Sequence, residues 1–205
     1  MQALLHIQPP EQPDCHVVKL PTEIAQIGCL VAGVLGIAAD PIWWTTFPRR
    51  HPDGTPHPYT TDGPHRNHPL VRWAAASRPA FLALCNHGLA LCGEHRYRWH
   101  LDGEPEEVHA AAGVLLWLAT DARLLAVLPN APSGSYPIVP SYPVAPEVAV
   151  PGDPHAGERN LLRAKFRGLA GIRKIRMIWT RREPPAWLME PLEHFQGVLS
   201  TESER

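Results

Sequence analysis

Asp14-Cys15-His16-Val17-Val18-Lys19-Leu20-Pro21-Thr22-Glu23-Ile24-Ala25-Gln26 runs directly into an apolar stretch that continues from Ile27 to Ala39. Read at helical period, His16, Lys19, Glu23 and Gln26 recur at i, i+3, i+7 and i+10 and share one face. The remaining positions are apolar enough to require burial, so this segment is the expected core helix, with a polar stripe at its mouth. Asp14 is placed to cap it. Pro21 either kinks one continuous helix or opens a second one at its first turn. From Ile24 to Ala39 the apolar run falls short of the roughly 18 to 20 residues that span a bilayer, so a core helix and no membrane association are expected.

Outward from this segment, residues 40 to 68 carry Pro41, Pro48, Pro52, Pro56, Pro58 and Pro64, the pair Asp53-Gly54, and His51, His57, His65 and His68. Such punctuation predicts a long loop with turns, and loops of this length tend to be functional. From Pro69, the residues Leu70, Ala74, Phe81, Leu84, Cys85, Leu89, Leu91 and Cys92 follow a helical period that Ser77 and Pro79 can divide in two. A further helix is expected from Glu106, burying Val108, Ala112, Leu115, Leu116 and Leu118 and bending on through Leu128. Eight prolines between Pro129 and Pro154 favour polyproline II and exclude long helices, so residues 129–157 read as a strap. No alternating pattern of strands stands out. The expectation is a mostly α, compact helical bundle with long Pro-rich loops. It is a single domain over 1–205, with an extended arm at 1–13 and a basic helical segment at 158–205.

Of 205 residues 44% are hydrophobic, enough for a real core, and the net charge is only −1. That balance conceals an asymmetry. Arg159, Arg163, Lys165, Arg167, Arg173, Lys174, Arg176, Arg181 and Arg182 occupy 24 positions without one intervening carboxylate. This is the electrostatic footprint of a polyanion site, with nucleic-acid phosphate the expected partner. Trp179 and Trp187 beside Arg181 and Arg182 could stack on an extruded base or wedge into a duplex, or could pack a helix on the bundle. Cys15, Cys29, Cys85 and Cys92 lack the paired spacing of a zinc site, and they read as reduced thiols in a cytoplasmic protein. The histidines of the 40–68 loop fit no standard ligand frame, so no metal and no cofactor are expected. The chain has no phosphate-binding Walker loop, no Gly-x-Gly-x-x-Gly and no Gly-x-Ser-x-Gly, which removes the main support for nucleotide-hydrolase, dinucleotide and serine-hydrolase chemistry.

Glu23 is the leading catalytic candidate. In a water-poor pocket its carboxylate would act as a general base or stabilise positive charge developing on a sugar; the structural alternative is a helical ion pair with Lys19. His16 could orient or protonate the same group, and His68, ahead of the long helix, could approach it with Asn67. Glu94 and Arg98 either converge on that concavity or form an i, i+4 pair within their helix. Lys19, Gln26, Asn67, Trp73, Glu94 and Arg98 are the expected substrate contacts near the catalytic groups.

The string Asp14-x-His16-Val17-Val18-Lys19 with Glu23, then Asn67-His68-Pro69 with Trp73, then Glu94-x-x-Tyr97-Arg98, and finally Trp179-x-Arg181 ahead of Pro185-x-Trp187, resembles a group of small phage proteins. That group is itself similar to the phage pyrimidine-dimer DNA glycosylases of endonuclease V type. The resemblance covers about half of the chain and rests on the order of short blocks. It implies a helical bundle that extrudes a base from duplex DNA, with Glu23 in the place of the essential glutamate. In those glycosylases a terminal amine, exposed by removal of the initiator Met, attacks the sugar. Here Gln2 is bulky and is expected to leave Met1 in place. Two further readings therefore stand beside a glycosylase: a phage base-modification transferase acting on a hypermodified thymine with a small-molecule co-substrate, and a non-enzymatic binder of nucleic acid or a host protein.

Overall fold

In the computed structural model, residues 8–57, 59–101, 108–130, 159, 163 and 177–189 are described. The chain forms two compact units, one of residues 14–140 and one of 1–13 with 141–205. The architecture is mostly helical, and among the described residues there is no strand, only an isolated antiparallel bridge between Arg50 and Pro56.

The first unit is organised around α1, Asp14–Val34. Pro21 does not divide it: one helix runs through the proline, and Asp14 is its first residue. The helix stops at Val34, earlier than the apolar run. Gly36, at φ 78°, turns the chain into a 3-10 turn at Ile37–Ala39, because a left-handed residue ends the helical ladder and glycine takes it without a Cβ clash. By length and composition alone α1 is long and apolar enough to cross a membrane. In the fold, 61% of its most apolar window is buried, against the helices that follow. Ser77 and Pro79 do separate two helices: α2, Pro69–Ala75, and α3, Arg78–Trp99, whose cap is the Ser77 hydroxyl accepting from Ala80 N at 3.3 Å.

Next come α4, Ala112–Thr120, and α5, Ala122–Val127, joined at Asp121, whose carboxylate accepts from Leu124 N at 2.7 Å. The helix expected from Glu106 thus begins later, while residues 102–107 lie outside the described residues. Val108 and Leu116, expected in the core, are 59% and 56% exposed; helical period assigns a face, and neighbours decide whether that face is covered. The core is where α1, α3 and α4 meet. Gly88 of α3 has no Cβ because one would lie 2.9 Å from Leu115 of α4 and 3.0 Å from Ile24 of α1. Around it Phe81, Leu84, Leu91 and Leu118 are fully buried.

The 40–68 segment is a loop as expected, with 3-10 turns at Pro41–Thr46 and Pro64–Asn67. Trp43 is completely buried, its ring 4.7 Å from Trp44 and 4.4 Å from Trp117, and Phe47 lies 5.0 Å from Trp117. The indole of Trp117 donates to Thr46 Oγ1 at 3.1 Å, so these aromatics fasten the loop to α4.

Farther on, the loop crosses α1. Gln26 uses both ends of its amide on Thr60: Nε2 donates to the Thr60 carbonyl, and Oε1 accepts from Thr60 N at 3.1 Å. Two turns along, the Thr61 carbonyl lies so close to Gly33 that a Cβ there would be 1.8 Å from the oxygen. Thr22, Gln26, Cys29 and Gly33 are spaced i, i+4, i+7 and i+11, one strip of the helix, and the loop follows that strip. Tyr59 completes the seam, with Thr22 beside its phenol and Cys29 beside its backbone.

Of the second unit, a 3-10 turn at Pro9–Glu11 and a short helix α6, Ala186–Met189, are described, with Arg159 and Arg163 in helical conformation. Of the strap at 129–157, residues 131–157 lie outside the described residues, as does most of the basic segment.

Gly33→Ala is expected to lift the loop off α1, because the opposing atom is backbone and cannot rotate away. The cost should be about 1–3 kcal/mol, read as a lower urea midpoint with faster proteolytic cleavage near Thr60. Gln26→Ala should open the same cleavage site without that steric clash.

Candidate functional site

Two places in the first unit gather chemistry. At the start of α1 and the end of α3, Arg98 lies buried with both arms of its guanidinium engaged. Nε donates to Glu94 Oε1 at 2.8 Å and Nη1 to Asp14 Oδ1 at 2.8 Å; the Arg98 side chain is 0% exposed, Glu94 5% and Asp14 18%. The Glu94 bond is the expected pair within α3. Asp14, 84 residues away, turns it into a bridge between helices. A fork-shaped guanidinium can serve two carboxylates at once, which an ammonium cannot do with fixed geometry.

Beside this triad His109, just ahead of α4, donates from Nε2 to the Val18 carbonyl at 3.0 Å and accepts at Nδ1 from Ala111 N at 3.1 Å. These bonds require the neutral ring protonated on Nε2. His95 stands edge-on to His109, with centroids 5.0 Å apart, and also lies 4.7 Å from Trp99. Sequence reasoning missed both Asp14 as a partner of Arg98 and His109 altogether. The only local signal for His109 is its place a few residues ahead of an apolar helix.

The second place is the outer face of α1. Lys19 and Glu23 are exposed and His16 is half-buried. Glu23 is thus not enclosed in a water-poor pocket. Neither Glu23 nor Lys19 makes an ion pair among the described residues, so the i, i+4 pairing that would have explained Glu23 as structural is absent there. Glu23 directly follows Thr22 and lies three residues before Gln26, the positions that hold Tyr59 and Thr60. Its carboxylate therefore borders the seam where the loop crosses the helix.

The other expected contacts are dispersed. Gln26 is spent on Thr60. His68 caps α2, its Nδ1 accepting from Leu70 N at 3.2 Å, and burial, with His65 adding to it, lowers its pKa. Asn67 is exposed at the end of a 3-10 turn; Trp73 is half-buried on α2 with an indole nitrogen that has no partner among the described residues. Glu94 and Arg98 converge with Asp14 rather than with Glu23. In the second unit, Trp179 donates from its indole to the Glu11 carbonyl at 3.0 Å, Arg182 N bonds the Trp179 carbonyl at 3.2 Å, and Arg181 takes φ 56° at the tip of that turn. Trp187 is half-buried on α6. Lys165, Arg167, Arg173, Lys174 and Arg176 lie outside the described residues.

The thiols are free. Burial pushes Cys29, Cys85 and Cys92 up to about 12, so they pack as neutral groups and offer no thiolate nucleophile. Among the described residues no cluster of three or more His, Cys, Asp or Glu side chains is arranged to hold a metal ion.

No family model, curated protein or solved structure matches this chain.

Arg98→Ala should leave two carboxylates without their cation and lower stability by about 3–5 kcal/mol, measured by urea denaturation; Arg98→Lys should recover only part of it. A second prediction concerns pH. His68 must be neutral at Nδ1 to cap α2, and its folded pKa is depressed, so its contribution is complete above the unfolded value of about 6.5. That contribution is lost as pH falls from there through the folded value. His68→Asn, which keeps a capping acceptor, should flatten this part of the stability–pH curve.

Proposed function

We propose that this protein is a DNA-binding enzyme that acts on a flipped-out base or its sugar, with Glu23 as the reacting carboxylate. The observation that carries the reading is the contrast between the two acids of α1. Asp14 is committed to a buried guanidinium, whereas Glu23 is exposed and unpaired among the described residues, on the same face as Lys19. A surface carboxylate gains no stability from such isolation, and a substrate that covers it would supply the dry surroundings its chemistry needs. The order of short blocks shared with the pyrimidine-dimer glycosylases, and the nine cations of residues 159–182, favour DNA as that substrate.

Under this reading Glu23 works as a general base or stabilises positive charge on the sugar. Lys19, one turn before it, meets a phosphate, and His16 supports the reacting group. Arg98, Glu94 and Asp14 hold α1 in place and do not touch the base. The basic segment tracks the backbone, and a base-modifying transfer would use the same carboxylate with a small donor.

Glu23→Gln removes the charge while keeping shape. Expected is a loss of product of about 100-fold or more with unchanged DNA affinity and unchanged stability. Product is read by mass spectrometry of nucleosides released from DNA incubated with the protein, with and without candidate small donors, and by borohydride trapping of strand-cleavage intermediates. A fully active Glu23→Gln protein would sink the assignment. Lack of any DNA binding at low salt would remove the reading as a whole.

A further inference from the structure

The loop between Trp44 and Thr60 holds a charged element that the polar stripe of α1 does not account for. Residues 49–57 fold back on themselves. His57 N bonds the Arg49 carbonyl, His51 N the Thr55 carbonyl and Gly54 N the His51 carbonyl, all at 2.9 Å. At the tip, Asp53 Oδ1 accepts from Thr55 N at 2.9 Å and from Thr55 Oγ1 at 2.7 Å, while Gly54 takes φ 81°. The conformation is set by local hydrogen bonds and needs no core.

Its side chains are ordered around positive charge. Arg50 donates from Nη1 to the Gly54 carbonyl at 3.3 Å and from Nη2 to the Thr45 carbonyl; Arg49 lies 5.1 Å above the ring of Tyr59. Neither arginine has a carboxylate within ion-pair distance among the described residues. The imidazoles of His51 and His57 stack at 3.9 Å and 21°. Between Asp40 and Asp62 the only acid is Asp53, and its Oδ1 is occupied by Thr55. Carbonyl acceptors orient a guanidinium without neutralising it, which leaves the charge available to an external anion.

Tyr59 ties this loop to Thr22, the residue before Glu23. Through Tyr59 and Arg49 the charged loop is thus linked to the turn of α1 that carries Glu23.

We propose that the 49–57 loop is a phosphate-gripping element, in which Arg49, Arg50 and the stacked His51–His57 pair contact the backbone of the nucleic acid whose base reaches Glu23. This rests on the DNA-directed reading of Glu23 and extends it with a contact surface in residues 49–57. The groups facing the imidazole pair are Arg49, beside His57, and Asp53, beside His51. In the free protein Arg49 and the stacked partner ring oppose protonation of His57, after the effect of burial itself. A phosphate placed beside His57 reverses that balance, so binding takes up a proton and affinity rises as pH falls from 8 to 6, by at most about tenfold per pH unit.

The test uses the full chain and a fluorescent duplex, with anisotropy recorded across a salt series at pH 6 and pH 8. Arg50→Ala should weaken binding and make the slope of log K against log[salt] shallower by about 0.9 per lost phosphate contact. The double variant His51→Gln/His57→Gln should bind at pH 8 like the unaltered protein and lose the gain at pH 6. Circular dichroism and urea midpoints check that both variants fold. If the unaltered protein binds and both variants match it in slope and pH response, the loop proposal is overturned while the Glu23 reading stands. If the variants behave as expected but Glu23→Gln remains active, the loop assignment holds and the Glu23 assignment falls. Variants that lose affinity only for anionic vesicles, and not for DNA, would also overturn the proposal.

Discussion

The contact on which the first unit most depends is the buried fork of Arg98 between Asp14 and Glu94. A charge this far from water is tolerable only when its donors are answered. Answering them requires the first residue of α1 and the last turn of α3 to meet in one register. Once that register is set, His109 can reach the Val18 carbonyl and bring the start of α4 onto the same corner. Hydrophobic burial supplies most of the driving force, yet it is tolerant of sliding, whereas two 2.8 Å charge-assisted bonds are not. The triad therefore determines how α1 is presented, including which of its carboxylates faces out.

The seam along Thr22, Gln26, Cys29 and Gly33 is the complementary device on the other side of α1. It converts a long Pro- and His-rich loop into a positioned surface by satisfying the loop's backbone with a side-chain amide and by removing a Cβ where the chain passes closest. Through Tyr59, which lies beside Thr22 and beneath Arg49, the loop is tied to the turn of α1 that carries Glu23. Trp43, Trp117 and Phe47 secure the far end of the same loop to α4. Trp43 is fully buried and acts as cement between the loop and α4.

Much of the fold was legible locally. The apolar period of α1 and α3, the Ser77 break and the turn signals of residues 40–68 all rest on interactions within a few residues, and each appears in the structure. Pro21 allows either one continuous helix or a second one starting there; a single helix runs through it, eight residues in, and forgoes one backbone hydrogen bond. The errors arise where a neighbour decides. Val108 and Leu116 have the right period but no covering element among the described residues. For the candidate site the pattern is the same: Glu94 with Arg98 was readable as an i, i+4 pair, while Asp14 as the third member was not, because nothing local links positions 84 apart.

The sequence by itself determined that the protein is mostly helical, that α1 is a core helix with a polar outer stripe, and that positive charge is concentrated in residues 159–182, since period, turn chemistry and charge are short-range properties. Only the tertiary structure decided the roles of the polar residues within that stripe. Gln26 became a loop clamp because Thr60 arrives opposite it, and Asp14 became half of a buried bridge because α3 ends beside it. Glu23, met by no partner among the described residues, remained exposed at the border of the seam. A side chain's chemistry is written in the chain, but its availability depends on what the fold brings within three ångströms of it.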